Sequence, residues 1–164
     1  MLGALLSCEA RAAGPDYPGG LDLAVDIAPF GLFEFEEAIA PSAGVSGAVE
    51  IGDGLGLGAL YRGLGDFGGM AGAFGRIATT PELVQGKPFA FVFADVGAVA
   101  GLGGLSGAAL YAHGQGAVGY ATSPNVGFTA ALGLTAFMGV SATSVSSIQI
   151  PVASIGLVYR APKK

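Results

Sequence analysis

The side chains to which chemistry would first be assigned are few: a single His113, a single Cys8, and seven Lys and Arg set against twelve Asp and Glu. His113 invites a Ser–His reading, with Ser106 or Ser123 as nucleophile for acyl transfer or deacylation. The stretch His113-Gly114-Gln115-Gly116 offers no serine within hydrogen-bonding reach along a strand and no acid to orient the ring. A structural or interfacial histidine is therefore expected, with no catalytic residue. One His and one Cys cannot build a structural zinc site, and a lone Cys8 cannot close an intrachain disulfide. No metal and no other cofactor is expected. Gly52-Asp53-Gly54-Leu55-Gly56-Leu57-Gly58 has the look of a phosphate-binding glycine loop, but no helix follows to aim its N-terminus at a phosphate, so it reads as a hairpin turn entering a strand. A net charge of −5 with scattered basic residues argues against a nucleic-acid partner.

The elements that would position these residues follow from a period of two. From Phe128 to Ser141 one set of alternate positions reads Phe128, Ala130, Leu132, Leu134, Ala136, Met138, Val140, while the other is small or hydroxylated. Leu21, Leu23, Val25, Ile27, Phe33 and Phe35 alternate in the same way with Asp22, Asp26, Glu34 and Glu36, across a kink expected at Pro29. Val45, Val49 and Ile51 follow a turn at Glu37 to Ser42, and Leu55, Leu57, Ala59 and Tyr61 follow the Gly52-Asp53-Gly54 turn. Further strands are expected near 69–78, 88–100, 104–121 and 147–160. In the last, Ile148, Ile150 and Val152 share one face and Ile155, Leu157 and Tyr159 the other, so Pro151 is expected to mark a bulge or the strand's true start near Val152. Phe89 to Leu110 is apolar enough to suggest a membrane helix, but five glycines would burden a helix and Phe89, Phe91 and Phe93 alternate as in a strand. Short connections make successive strands antiparallel neighbours. The fold class expected is all-β: a closed up-and-down antiparallel barrel of about eight strands, of transmembrane type.

Charge decides which face looks outward. A water-soluble barrel of this length needs a well-charged exterior, and only 12% of this chain is charged. The greasy face is therefore expected to meet lipid, with the polar face enclosed. An open sheet edge would strand backbone polar groups in hydrocarbon, so the sheet must close.

That orientation gathers Asp22, Asp26, Glu34, Glu36, Glu50, Arg62, Arg76, Asp95 and Arg160 in the lumen, where they must pair. Counting outward from the turns near Asp53 and Asp66 places Glu50 level with Gly56 and Gly56 level with Arg76, so Arg76 is expected to reach Glu50 over the glycine. Closure sets Asp22 beside Arg160. Eight strands leave little interior room, and the inward glycines imply a dry interior filled by Ala and Gly. An internal salt-bridge plug is favoured over a gated ion path.

The sequence resembles the small outer-membrane β-barrel proteins of Gram-negative bacteria over roughly residues 21–160. The resemblance rests on the Tyr120-Ala121-Thr122-Ser123-Pro124-Asn125-Val126-Gly127 turn, on the near-C-terminal strand Pro151-Val152-Ala153-Ser154-Ile155-Gly156-Leu157-Val158-Tyr159, and on an export signal. For the last, the apolar run Met1 to Ser7 precedes Ala10-Arg11-Ala12 without a basic region before it, as in a signal-peptide remnant whose true start lies upstream. Leu5-Leu6-Ser7-Cys8 also resembles a lipoprotein processing box. Residues 1–20 are thus read as a signal remnant or flexible segment, 21–160 as the barrel and 161–164 as a tail. The resemblance implies an outer-membrane, porin-like protein with a structural, adhesive or envelope-maintenance role, membrane lipid as its partner and a monomer as its working state. The alternatives are a soluble periplasmic barrel holding a hydrophobic ligand and a lipid-modifying barrel using His113.

Overall fold

The computed structural model describes residues 19–28, 31–33, 41–52, 54–65, 68–140 and 146–161. Among these residues nine strands follow in order: β1 (Gly20–Ala28), β2 (Gly31–Phe33), β3 (Ser42–Gly52), β4 (Leu55–Gly63), β5 (Gly69–Ala78), β6 (Pro88–Leu102), β7 (Ala108–Ala121), β8 (Val126–Gly139) and β9 (Ser147–Arg160). Each pairs antiparallel with its chain neighbour from β3 to β9, and β1 pairs with both β3 and β9, which closes the sheet. β1 and β2 are one barrel strand in two pieces. Ile27 faces Ala153 and Gly31 faces Gln149, so the register along β9 is unbroken across the kink expected at Pro29. The result is a closed eight-stranded antiparallel barrel. No helix among the described residues is long and apolar enough to cross a membrane.

Closure carries a stagger. Moving from strand to paired strand, Leu21 leads through Val49, Leu57, Gly75, Val96, Ala112, Ala136 and Ile148 to Leu32 on the first barrel strand again. The strands must tilt to absorb that offset. Gly20 and Arg160 lie at one end, the terminal end, with the 52–55, 79–87 and 122–125 connections; the opposite, distal end carries 64–68, 103–107 and 140–146.

The alternation of the sequence becomes an alternation of faces. Leu132, Leu134 and Met138 are 64%, 48% and 54% exposed, whereas Asp26 is 7% exposed. Where side chains are described, every outward strand position carries an aliphatic residue, Ala, Gly, Pro, Phe, Met or Tyr, and every charged strand residue points inward. At Pro151 the ladder slips: Gly133 faces Val152 but Thr135 faces Gln149, so Leu134 has two residues opposite it, and Ile150 and Pro151 both point outward. This bulge reverses the phase that the sequence reverses at the same place.

The interior is not the Ala/Gly filling expected from the sequence. Phe74, Phe91, Tyr111 and Phe137 are buried inside, with Phe89 and Phe93 packed beside them. Glycine contributes the space for these rings: a Cβ on Gly127 would lie 2.6 Å from Phe89 Cε1, and Gly119 and Gly58 sit under Phe89 and Phe74. Inward glycine therefore marks a seat for a neighbour's aromatic ring, not an empty lumen.

Candidate functional site

The register lines up the polar lumen as one continuous row. Glu50 on β3 is level with Gly56, then Arg76, Asp95, His113, Thr135 and Gln149 on successive strands. Because the barrel is staggered, this level row winds from the terminal end at Glu50 to the distal end at Gln149. Among the described residues three salt-bridge centres lie along and beside it.

At the distal end Arg62 donates through Nη2 to Asp26, while its Nη1 donates to Ser42 Oγ and Gln149 Oε1, each at 2.9 Å. Ser42 also donates to Gln149 Oε1 at 3.0 Å, so the Gln149 carbonyl accepts twice. Asp26 and Arg62 are not adjacent: Gly44 lies between them on β3, level with both. A Cβ on Gly44 would stand 3.1 Å from Asp26 Oδ2, so the ion pair crosses a backbone without a side chain.

In the middle Arg76 grips Asp95 with two parallel bonds, Nε to Oδ1 at 2.7 Å and Nη2 to Oδ2 at 2.8 Å. Its Nη1 also lies 3.4 Å from Asp22 Oδ2. The guanidinium is held over Phe93, with Cζ 4.1 Å from the ring centroid, an arrangement that favours a planar cation. At the terminal end Arg160 donates to Asp22 Oδ1 at 2.7 Å and approaches Glu50 Oε2 at 3.4 Å. Gly20 lies between Arg160 and Glu50 and leaves the gap open, as Gly44 does for the distal pair.

The structure thus places Asp22, Asp26, Glu50, Arg62, Arg76, Asp95 and Arg160 in the lumen and sets Arg160 against Asp22. Glu34 and Glu36, together with Cys8, Asp53 and Asp66, lie outside the described residues. The expected Arg76–Glu50 pair is replaced. Asp95 is the immediate neighbour of Arg76 in the ladder, whereas Glu50 is two strands away and is engaged by Arg160 and by Thr80 Oγ1, which donates to it at 2.9 Å. A carboxylate in the adjacent strand wins because it permits the bidentate geometry. Pairing across a glycine does occur, at Gly44 and Gly20.

Sequence reasoning did not single out Gln115, Thr135, Gln149 or Ser154, all buried inward. Ser154 donates to Gln115 Oε1 at 2.8 Å, and Gln115 Nε2 donates to the Val152 carbonyl at 3.2 Å. Their signal was phase: each shares the inward parity of its strand. His113 belongs to the same layer. Its Nδ1 lies 2.7 Å from Thr135 Oγ1, and its ring stacks with Tyr111 and contacts Phe93. Ser106 sits in the 103–107 connection at the distal end. Ser123 sits at the terminal end, its Oγ accepting from the backbone N–H groups of Asn125 and Val126. Neither connection is on the strand row that holds His113. Among the described residues no cluster of His, Cys, Asp or Glu is arranged to hold a metal ion.

An outward belt without charge around a lumen of paired charges defines the class: a closed eight-stranded barrel built like those of the small Gram-negative outer-membrane proteins. Two solved structures share this fold. Neisserial surface protein A is 16% identical, with 90% of this chain and 99% of that one covered at a TM-score of 0.55. The N-terminal β-barrel domain of Pseudomonas aeruginosa OprF is 14% identical, with 88% and 98% covered at 0.51. No protein-family model matches the sequence, and comparison with curated proteins finds no match.

Proposed function

We propose that this chain spans a bacterial outer membrane as a structural barrel, with an envelope-maintenance or adhesive role, and that its narrow lumen is closed to solutes by its own side chains. The observation that carries this reading is the division of the two faces. Ile155, Val96 and Ile77 are 69%, 68% and 68% exposed, while Arg62, Asp95 and Arg160 are 3%, 1% and 1% exposed. In water this would be an inverted protein. In a bilayer it is the arrangement of lowest cost, because an Arg facing mid-bilayer lipid costs about 2–4 kcal/mol. Tyr120, Phe128 and Tyr159 project outward on β7, β8 and β9 near the terminal end, and Tyr61 near the distal end, where aromatic side chains suit the lipid–water boundary.

A non-catalytic role is supported by the placement of His113, whose ring is turned into the packed lumen against Thr135 and Tyr111, away from lipid. A soluble binder of apolar ligands would need a charged exterior, and the outward strand positions carry no charge where side chains are described. The test is partition and heat-modifiable migration. The chain should require detergent or lipid, and it should migrate differently on a denaturing gel before and after boiling. Aqueous partition without detergent would overturn the membrane reading. Steady ion conductance by the unmodified chain in planar bilayers would overturn the closed lumen.

A further inference from the structure

The 79–87 connection is longer than the 52–55 and 122–125 turns at the same, terminal end. It joins neighbouring strands β5 and β6, a task that a short turn can perform. Its tip turns inward: Leu83 is buried at 5% exposure and belongs to one apolar cluster with Phe91 of β6, Ala117 and Ala121 of β7, Ala131 of β8 and Val158 of β9. Pro81 is buried beside it, while Glu82, Val84, Gln85 and Lys87 stay exposed. A residue of the β5–β6 connection that joins a cluster of inward residues drawn from β6 to β9 faces the lumen.

The segment is fixed at both roots and latched at its tip. Thr79 N donates to the Val92 carbonyl at 2.9 Å, and Val92 N donates back to Thr79 Oγ1 at 3.0 Å. At the other root Gly86 N donates to the Ala121 carbonyl at 2.8 Å and Ala121 N to the Lys87 carbonyl at 3.0 Å, with Gly86 at φ +74°, a conformation that favours glycine. Thr80 Oγ1 donates to Glu50 Oε1 on β3, two strands away from β5.

We infer that residues 79–87 form a stopper, with Leu83 as its plug and Thr80–Glu50 as its latch, which seals the terminal mouth separately from the salt-bridged layer. Asp22, Glu50 and Arg76 line a small cavity at the same end, beside the 52–55 turn. The plug is held by apolar contact and one side-chain hydrogen bond, so it is the part of the closure that can be removed while the ladder stays intact. This deepens the closed-lumen reading by naming the element that closes one end, and it can fail while the barrel itself stands.

The experiment places a cysteine under the stopper, Val158→Cys, in a Cys8→Ser background and measures its reaction with a small charged methanethiosulfonate in detergent micelles. With the stopper intact, labelling should be slow. Leu83→Gly or Thr80→Ala/Leu83→Ala should speed it on the order of tenfold or more, because the apolar plug is lost. A control cysteine at Ala109→Cys, buried in the distal cluster, should keep its rate, and the heat-modifiable band should persist. Fast labelling of Val158→Cys with the native stopper, or an unchanged rate in both stopper variants, would overturn the inference. Loss of the heat-modifiable band in the parent chain would instead count against the barrel reading.

Discussion

The Arg76–Asp95 pair gives the sharpest test of how the lumen is held. Arg76 is 7% exposed and Asp95 1%, and two bonds of 2.7 and 2.8 Å join them. Arg76→Met leaves Asp95 without an ion-pair partner among the described residues, so about 3–5 kcal/mol should be lost. The contact of the guanidinium with Phe93 adds about 1–2 kcal/mol to that loss. Asp95→Leu is milder, because Arg76 keeps Asp22 at 3.4 Å and its aromatic seat; about 1–3 kcal/mol is expected. The double variant Arg76→Met/Asp95→Leu leaves neither charge stranded, and Asp22 retains Arg160 at 2.7 Å. It should therefore be more stable than Arg76→Met alone. The chain has no Trp, so urea unfolding in lipid vesicles is best followed by the heat-modifiable band or by circular dichroism. Losses that simply add in the double variant would refute the claim that the desolvated partner, and not the missing contact, sets the cost.

Other consequences follow from the same geometry. Gly44→Val should push Asp26 away from Arg62 and lower stability by about 1–3 kcal/mol, read by the same urea titration, whereas Gly116→Ala on the outer wall, where an added Cβ meets nothing within 4 Å, should be near neutral. Leu132→Arg should hinder folding into bilayers by about 2–4 kcal/mol, with a smaller effect in detergent, measured as folded fraction against lipid concentration. His113→Ala should leave lipid A composition unchanged in cells while lowering the unfolding midpoint, since Thr135 Oγ1 loses its 2.7 Å partner; altered lipid A would revive an enzymatic role.

The strand positions, the closure and the identity of the inward charges were legible because a two-faced strand writes its orientation into every second residue. Asp22, Asp26 and Arg62 share the inward parity of their strands, and no tertiary detail is needed to assign it. The break in parity at Pro151 was legible, but it allowed either a bulge or a strand starting near Val152; the ladder shows the bulge, with β9 starting at Ser147 and Val152 turned inward. Partner choice was not. Which carboxylate meets Arg76 depends on register with two strands at once and on how far a guanidinium reaches diagonally, and Asp95 differs from Glu50 only in those terms. The aromatic filling was hidden because Phe89, Phe91 and Phe93 fit either face by type; only their parity with Asp95 places them inside. The plug of Leu83 lay beyond periodicity altogether, since a nonregular connection has no parity to read.

The lumen of such a barrel serves two demands that compete. Lipid on the outside is as apolar as the side chains it touches, so outward contacts do little to select one register over another. Specific packing has to come from inside, where Arg62–Asp26, Arg76–Asp95 and Arg160–Asp22 tie β4 to β1, β5 to β6 and β9 to β1. Of these, Arg62–Asp26 skips a strand, over Gly44, and thereby fixes three strands with one pair. Opening a path through the lumen would disrupt the centre that sets its register. Any substitution that widens the lumen should therefore lower the unfolding midpoint in step with the conductance it creates, and a variant that conducted freely at undiminished stability would show that register is held elsewhere.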